Sequence, residues 1–359
     1  MIAPVWEWIG IKPSIDPAQQ IHYHDPMNTD NPSFQGLTPP LILSSIENLY
    51  GLRIEGVLRP LNSYVNRVFE VSTEEGESLV AKFYRPGRWT VEALEEEHEF
   101  LFDCSEAEIP VVEPLIGLEG YSLERALDQE DDQVDSGYYF ALFPKKAGRN
   151  FDAETDQDWL RMGRLIGRLH RVAAGSTCQH RSVLEPALGY QYLEQLEKSG
   201  VLHPELADPF LDVARTGLEW IDENWVDLPM HRIHGDCHRG NILDRSLEGL
   251  LLFDFDDMML GPAVQDLWLL LPGRRQDCSR EIALLSEGYS DFHPLHPRSW
   301  DLVESLRFLR MLHFLSWTAL QRRDHGFDQT FPHWGSRAFW IKELEDFQEQ
   351  VMALTSPGN

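Results

Sequence analysis

The sequence predicts an α+β fold made of two lobes, a β-rich N-terminal lobe over residues 34–144 and a mainly helical C-terminal lobe over residues 145–359. Three observations lead to this prediction. Short alternating strand patterns separated by a turn fall in the first third of the chain. Apolar residues recur at helical spacing after Gly148. The length of 359 residues suits about two domains.

The first 33 residues are predicted to form a disordered tail ahead of the β-rich lobe. Five prolines interrupt any helical or strand period there, and residues 28–32 have the composition of a turn. The tail is therefore not expected to contribute to either lobe.

The β-rich lobe carries a strand hairpin between two helix patterns and ends in a further strand. Gly51 ends the first helix, Thr90 can cap the second, and the acidic turn at 74–77 joins the two hairpin strands. The predicted elements, in order, are a helix at 41–50, strands at 66–71 and 78–83, a helix at 89–102 and a strand at 138–143.

The second lobe is predicted to be mostly helical. One helix has an apolar stripe with the spacing i, i+3, i+4, i+7, i+11, formed by Met162, Leu165, Ile166, Leu169 and Ala173. Two short strand patterns interrupt the helices, and two long helices close the chain. These elements are strands near Ile233 and over 250–253 and helices at 302–320 and 338–352.

The charge balance excludes several classes of partner. The chain has 31 basic and 59 acidic residues, so its net charge is 31 − 59 = −28. A polyanion needs clustered Lys and Arg, so we expect neither a nucleic acid nor an anionic membrane surface as partner. No run of apolar residues is long enough to span a membrane, and the N-terminus lacks the pattern of a signal peptide.

The cysteines indicate the compartment. The four of them are far apart in sequence and form no CxxC pair, so we expect free thiols, a reducing environment and a cytoplasmic protein. We also expect a monomer.

The strongest chemical signal is the segment 234–241, HGDCHRGN, followed by FDFDD at 253–257. Asp236 and Asn241 are five residues apart, and Asp254 follows at the end of an apolar strand. Phosphotransferases of the protein-kinase type place a catalytic base, an Asn metal ligand and an Asp metal ligand in this order. Asp236 can accept the proton of an attacking hydroxyl, while Asn241 and Asp254 offer hard oxygen ligands for Mg²⁺.

A lysine that holds ATP phosphates should lie upstream on a strand. Lys82 in LVAKF fits this expectation. A helix carboxylate should pair with it, and Glu95, Glu96 and Glu97 all lie on the next predicted helix. Glu97 is favoured over Glu96 because its i+4 neighbour Leu101 belongs to the apolar edge of that helix.

The sequence lacks a glycine-rich phosphate loop, since neither GxGxxG nor GxxxxGK[ST] occurs. The corresponding segment is 61–67, where Asn62 and Ser63 can turn the chain and offer backbone N–H groups to phosphate. These two residues complete the predicted nucleotide-binding set.

Several segments together resemble the aminoglycoside phosphotransferase and choline kinase superfamily, and more closely its bacterial stress-response kinases. The resemblance spans about residues 34 to 355 and is carried by Pro60–Val68, Lys82–Pro86, Arg88–Thr90, Gly167–His170, His234–His238, Gly240–Leu243 and Gly261–Trp268. It implies a two-lobed, kinase-like fold and an ATP- and Mg²⁺-dependent kinase in the cytoplasm that acts on Ser or Thr of proteins. Carried over, Asp236 is the catalytic residue and Asn241 and Asp254 bind Mg²⁺.

The spacing of the residues leaves the acceptor open. Asp254 and Asp266, which we expect to anchor a core loop, are twelve residues apart, so a long activation loop with a peptide platform does not fit. The resemblance to the superfamily implies a small alcohol or amino alcohol as the alternative acceptor to a protein. A metal-dependent hydrolase built on His234 and His238 is a more distant alternative, and a nucleotide sensor without turnover is a third. Asp256 and Asp257 could be metal ligands or residues of a solvated turn.

Overall fold

The computed structural model describes residues 34–61, 63–127, 137–324 and 327–356, so the predicted tail at 1–33 lies outside the described residues. The fold is α+β, as predicted: a region rich in strands is followed by a mainly helical region. The described chain divides into two compact units. The N-terminal unit contains residues 34–148 and 324–330, and the C-terminal unit contains 149–323 and 331–356.

The N-terminal unit is built on an antiparallel sheet. Its elements are α1 (Pro39–Tyr50), β1 (Arg59–Leu61), β2 (Arg67–Ser72), β3 (Ser78–Phe83), α2 (Val91–Glu106), β4 (Glu124–Leu127) and β5 (Gly137–Pro144). Within the described residues the sheet has five strands in the order β1-β2-β3-β5-β4. The predicted hairpin is confirmed as β2 and β3. The strand β3 lies at the centre of the sheet, where Lys82 faces Val68 on one side and Ala141 on the other.

Aromatic and aliphatic side chains form the core of this unit. Phe83 and Phe140 stack with their ring centroids 4.7 Å apart, and α1 packs Ile42 and Ile46 into the same cluster. Thr90 caps α2 as predicted, because its side chain accepts a hydrogen bond from the N–H of Ala93. Because Thr90 is the cap, the helix begins at Val91 and not at residue 89.

A late segment of the chain returns to the N-terminal unit. Residues 324–330 include the short helix α9 (Phe327–Thr330). Asp324 accepts two hydrogen bonds of 2.6 Å from the guanidinium group of Arg85, just beyond β3. Both side chains are largely buried, so this bidentate ion pair attaches the returning segment to the unit that contains Lys82.

Long helices form most of the C-terminal unit. They are α3 (Asp156–Ala173), α4 (Pro186–Ser199), α5 (Ala207–Asn224), α6 (Val264–Trp268), α7 (Ser279–Ser290), α8 (Val303–Gln321) and α10 (Arg337–Thr355). The backbones of α3 and α7 approach each other closely at Gly163. A Cβ atom at this position would lie only 2.4 Å from the carbonyl oxygen of Leu285. Phe210, Phe308 and Phe347 pack edge to face in the core beside the buried Trp340.

Short strands hold the loops of this unit. They are β6 (Arg149–Asn150), β7 (Met230–Ile233), β8 (Ile242–Asp244), β9 (Leu250–Leu252) and β10 (Met259–Pro262). The strands β6, β8 and β9 form one small sheet, and β7 pairs with β10. The four cysteines are free thiols, and all four are buried. In the part of the chain that is described, no helix combines the length and the apolar character needed to cross a membrane.

Candidate active site

The backbone around Asp236 is fixed by side chains from α6. The carboxylate of Asp266 accepts hydrogen bonds from the N–H groups of His234 (2.7 Å) and Gly235 (2.9 Å). The amide of Gln265 donates to the carbonyl of Gly235 at 3.1 Å. Burial opposes ionisation of Asp266, but its interactions with His170 and His234 together outweigh this effect, so the pKa of Asp266 lies below its usual range. Asp266 therefore anchors the loop as an ionised, buried carboxylate.

Gly235 is required by the shape of the same loop. Its φ of 82° lies in the left-handed region. A Cβ atom there would also lie 2.1 Å from the carbonyl oxygen of Asp257. The loop before Asp236 can therefore approach the segment after Asp254 only because residue 235 has no side chain.

The carboxylate of Asp236 has two partners in the C-terminal unit. Nη2 of Arg310, on α8, donates to Oδ1 at 2.5 Å, and Nε2 of His238 lies 3.5 Å from Oδ2. Burial alone would raise the pKa of Asp236, but Arg310, together with His238, holds it well below its usual range. Asp236 is thus a carboxylate in the folded protein, which is the form that can accept a proton. Sequence reasoning missed Arg310, since it lies 74 residues away and belongs to no local motif.

Asn241 and Asp254 lie at the same end of a strand pair. Asn241 comes directly before β8 and Asp254 follows Phe253 after β9, and the N–H of Phe253 donates to the carbonyl of Asn241 at 3.2 Å. The amide nitrogen of Asn241 donates to the backbone carbonyl of Asp236 at 3.0 Å. The amide oxygen of Asn241 is therefore the atom of this side chain that could bind a cation. Asp254, which is exposed, has a carboxylate that could supply a second oxygen ligand.

These two donors fit a magnesium ion that also takes oxygen ligands from phosphates and water. Mg²⁺ in nucleotide sites is commonly bound through one or two protein oxygens in addition to the phosphates. Across the described residues, no group of three or more His, Cys, Asp or Glu side chains is arranged to hold a metal. Nε2 of His234 instead lies 3.0 Å from the carbonyl oxygen of Phe253, where it supports the loop. The hydrolase alternative, which needs His234 as a metal ligand, is not supported by this arrangement.

Lys82 and Glu97 come together in the N-terminal unit. Nζ of Lys82 lies 3.5 Å from Oε1 of Glu97 and 4.9 Å from the centroid of the Tyr84 ring. Glu97 is only 1% exposed, while Glu96 is half-buried and Glu95 is exposed. Of the three glutamates, Glu97 is therefore the one that α2 places beside Lys82.

A hydrogen-bonded network of polar side chains continues from Tyr84, and no sequence motif indicates it. Nε2 of His98 lies 2.8 Å from the hydroxyl of Tyr84, and its Nδ1 lies 2.9 Å from the hydroxyl of Ser122. This network orients the Tyr84 ring, over which Lys82 lies. Its members come from three separate segments, so no local spacing reveals it.

The remaining predicted residues have less defined surroundings. Ser63 is half-buried in the connection between β1 and β2, and Asn62 lies outside the described residues. Asp256 is buried, and its backbone carbonyl accepts a hydrogen bond of 2.7 Å from Arg181. Asp257 is half-buried, and its backbone carbonyl lies against Gly235.

The connection from Asp254 to Asp266 is occupied by secondary structure. Four of its residues form β10, which pairs with β7 in antiparallel register. The connection therefore holds a strand where many protein kinases carry a long activation loop.

Known proteins resemble this chain in sequence. The sequence model of the phosphotransferase enzyme family matches residues 57–302. Stress response kinase A of Escherichia coli is 34% identical over 337 residues, covering 92% of this chain and 98% of that protein. A Salmonella typhimurium protein named serine/threonine protein kinase RdoA is 33% identical with the same coverage.

Solved structures share the fold at lower identity. An amicoumacin kinase, solved in complex with AMP-PNP, Ca²⁺ and the ligand Ami, superposes with a TM-score of 0.67 at 19% identity, covering 89% of this chain and 95% of that one. A microcompartment-associated aminopropanol kinase gives a TM-score of 0.62 at 18% identity, covering 87% and 95%. The resemblance read from the sequence motifs is thereby confirmed.

Proposed function

The chain belongs to the phosphotransferase enzyme family, and from this premise we propose that it transfers the γ-phosphoryl group of ATP to the hydroxyl of a serine or threonine in a protein. The observation that carries the proposal is the placement of the Asp236 carboxylate on a loop that also fixes Asn241. Two relatives share about a third of their residues with this chain. One is named a stress response kinase and the other a serine/threonine protein kinase, and the second name favours a protein acceptor.

In the proposed reaction Asp236 orients the acceptor hydroxyl and receives its proton. Lys82, oriented by Glu97, binds phosphate oxygens of ATP, and backbone N–H groups near Asn62 and Ser63 contribute further donors. Asn241 and Asp254 would hold Mg²⁺. Bound there, the ion would neutralise charge on the phosphates. Positioning and charge neutralisation supply most of the rate enhancement in phosphoryl transfer.

A small alcohol is the second candidate acceptor. The strand in the connection from Asp254 to Asp266 takes the place of the loop on which many protein kinases bind a peptide. The amicoumacin and aminopropanol kinases have the same fold, although identities below 20% carry no conclusion about the acceptor.

The test is transfer of label from γ-labelled ATP to two acceptor pools. One pool is a dephosphorylated bacterial protein extract and the other is a panel of small alcohols and amino alcohols. We expect phosphoserine and phosphothreonine in the extract, loss of label after chelation of Mg²⁺, and no recovery with Zn²⁺. Label in the alcohols alone would establish the second candidate. Full transfer after exhaustive chelation would contradict the metal assignment.

Two further proposals concern the location and the assembly of the enzyme. We place it in the cytoplasm because all four cysteines are free thiols. We propose a monomer because one chain supplies every residue assigned a role. Gel filtration with light scattering checks the second statement.

A further inference from the structure

The backbone and the carboxylate of Asp236 are held by different parts of the C-terminal unit. Asp266, Gln265 and Asn241 hold the backbone of the loop. The carboxylate is contacted by Arg310 and His238. A catalytic base that accepts a proton from a hydroxyl needs its carboxylate oxygens held in place as well as its backbone. A misplacement of the reacting atoms by about 1 Å costs about a hundredfold in rate.

Arg310 is well suited to fix one of these oxygens. It projects from α8, a helix whose flanking residues Leu309 and Met311 are buried. The Arg310 side chain is 13% exposed, so its guanidinium group lies largely within the protein. A planar guanidinium on a packed helix has a more defined position than a side chain on a loop.

The two contacts on the carboxylate are unequal. Arg310 donates to Oδ1 at 2.5 Å, whereas the His238 contact to Oδ2 is 3.5 Å, which is long for a hydrogen bond. Oδ1 is therefore the oxygen that the protein holds, and Oδ2 is the one better able to accept a bond from a ligand.

We propose that Arg310 is the positioning residue of phosphoryl transfer, holding Oδ1 of Asp236 so that Oδ2 accepts the proton of the acceptor hydroxyl. The inference rests on the proposed function. In the step it serves, a bond forms between the acceptor oxygen and the γ-phosphorus while the bond from that phosphorus to the bridging oxygen of ADP breaks. The hydroxyl proton passes to Oδ2, and ADP leaves with the bridging oxygen.

The test is a double-mutant cycle with Arg310→Met and Asp236→Asn, assayed with γ-labelled ATP and the dephosphorylated extract. If Arg310 acts through the Asp236 carboxylate, Arg310→Met lowers kcat by about a hundredfold in the wild-type background and less than about threefold in the Asp236→Asn background. The KM for ATP stays within about threefold, and Arg310→Lys recovers part of kcat because it retains the charge.

A second readout uses guanidinium ions, kept below the concentration that changes the melting temperature. They should raise the turnover of Arg310→Ala at least about tenfold and leave Asp236→Asn unchanged. Arg164→Met is the matched control, since it removes an arginine that pairs with Asp291 at 2.7 Å elsewhere in the same unit. This control should keep wild-type kcat.

The outcomes separate this inference from the proposed function. Wild-type turnover in Arg310→Met, or an equal loss in both backgrounds without guanidinium rescue, would overturn the role of Arg310 while leaving Asp236 as the base. Wild-type turnover in Asp236→Asn would overturn the proposed function itself, whatever Arg310 does.

Discussion

At the scale of single residues, Asp236 and Lys82 are expected to act on different parts of the reaction. Asp236→Asn keeps the size of the side chain and loses its negative charge and its ability to accept a proton. We expect kcat to fall by about a thousandfold while the affinity for ATP stays within about threefold, as for an interaction made mainly in the transition state. Lys82→Ala removes a cation from the phosphates in both states, so it should weaken ATP binding as well.

Calorimetry with ATP and Mg²⁺, combined with label transfer, distinguishes the two variants. Lys145→Ala is the control for Lys82, because Lys145 is a partly exposed lysine paired with Glu70 in the same unit. Loss of ATP binding in Asp236→Asn would make Asp236 a structural or metal-binding residue, and the base would then be another group.

The residues of this site differ in how far the sequence could reveal them. Asp236, Asn241 and Asp254 follow one another within a short stretch, so their spacing alone suggests a shared site, although their roles stay predictions. Sequence spacing alone only weakly favours Glu97 over Glu96 as the partner of Lys82. Burial separates them, because only Glu97 faces the lysine from the inner side of α2. The contact of Arg310 with Asp236 is shown only by the three-dimensional packing of α8.

At the scale of secondary-structure elements, the sequence predicted those with a strong local signal. The hairpin β2–β3 has strict alternation and a clear turn, and α3 has a long apolar stripe. The strands β1 and β4 have only three and four residues, too few for a period to show. The helices α4, α5 and α7 were covered only by the general expectation of a helical lobe. At the start of α8, residues 299–302 form a 3₁₀ turn, so the α-helix begins at Val303.

The element β10 leads to a prediction about regulation. It fills the connection between Asp254 and Asp266 and is paired with β7 over four residues. A strand held by ladder hydrogen bonds cannot serve as a disordered segment that phosphorylation orders. We therefore expect turnover to be unchanged after the enzyme is treated with a phosphatase that is then removed.

The comparison is label transfer by treated and mock-treated enzyme, with mass spectrometry to verify complete dephosphorylation. A large fall in rate after treatment would show that another segment of the chain acts as a phosphorylation switch.

At the scale of the whole molecule, the pH dependence of stability combines two opposing effects. With a net charge of −28, the chain repels itself near neutral pH, and protonation of its carboxylates on acidification relieves that repulsion. The buried side chain of His231 acts in the other direction. Burial, with a further effect from the neighbouring ring of His170, lowers the pKa of His231 from 6.5 to about 3.

The sign of the His231 contribution follows from proton linkage. Between about pH 6.5 and pH 3 the unfolded chain binds a proton at His231 that the folded protein does not, so this stabilisation is complete above pH 6.5 and decreases as the pH falls. From about pH 7.5 to about pH 5 the loss from this one group is about 2 kcal/mol. Relief of the repulsion among carboxylates acts over the same pH interval. The His231 contribution is therefore measured by comparing the wild-type protein with a variant.

The difference between His231→Phe and wild type isolates the contribution of His231. The variant removes the titrating ring and keeps an aromatic side chain in β7, whereas His180→Phe alters an exposed histidine and serves as control. Urea unfolding at the two pH values should show that wild type and His180→Phe lose about 2 kcal/mol more than His231→Phe. Equal losses in all three proteins would mean that His231 is protonated in the folded state, and that the buried cluster with His170 and Tyr289 tolerates its charge.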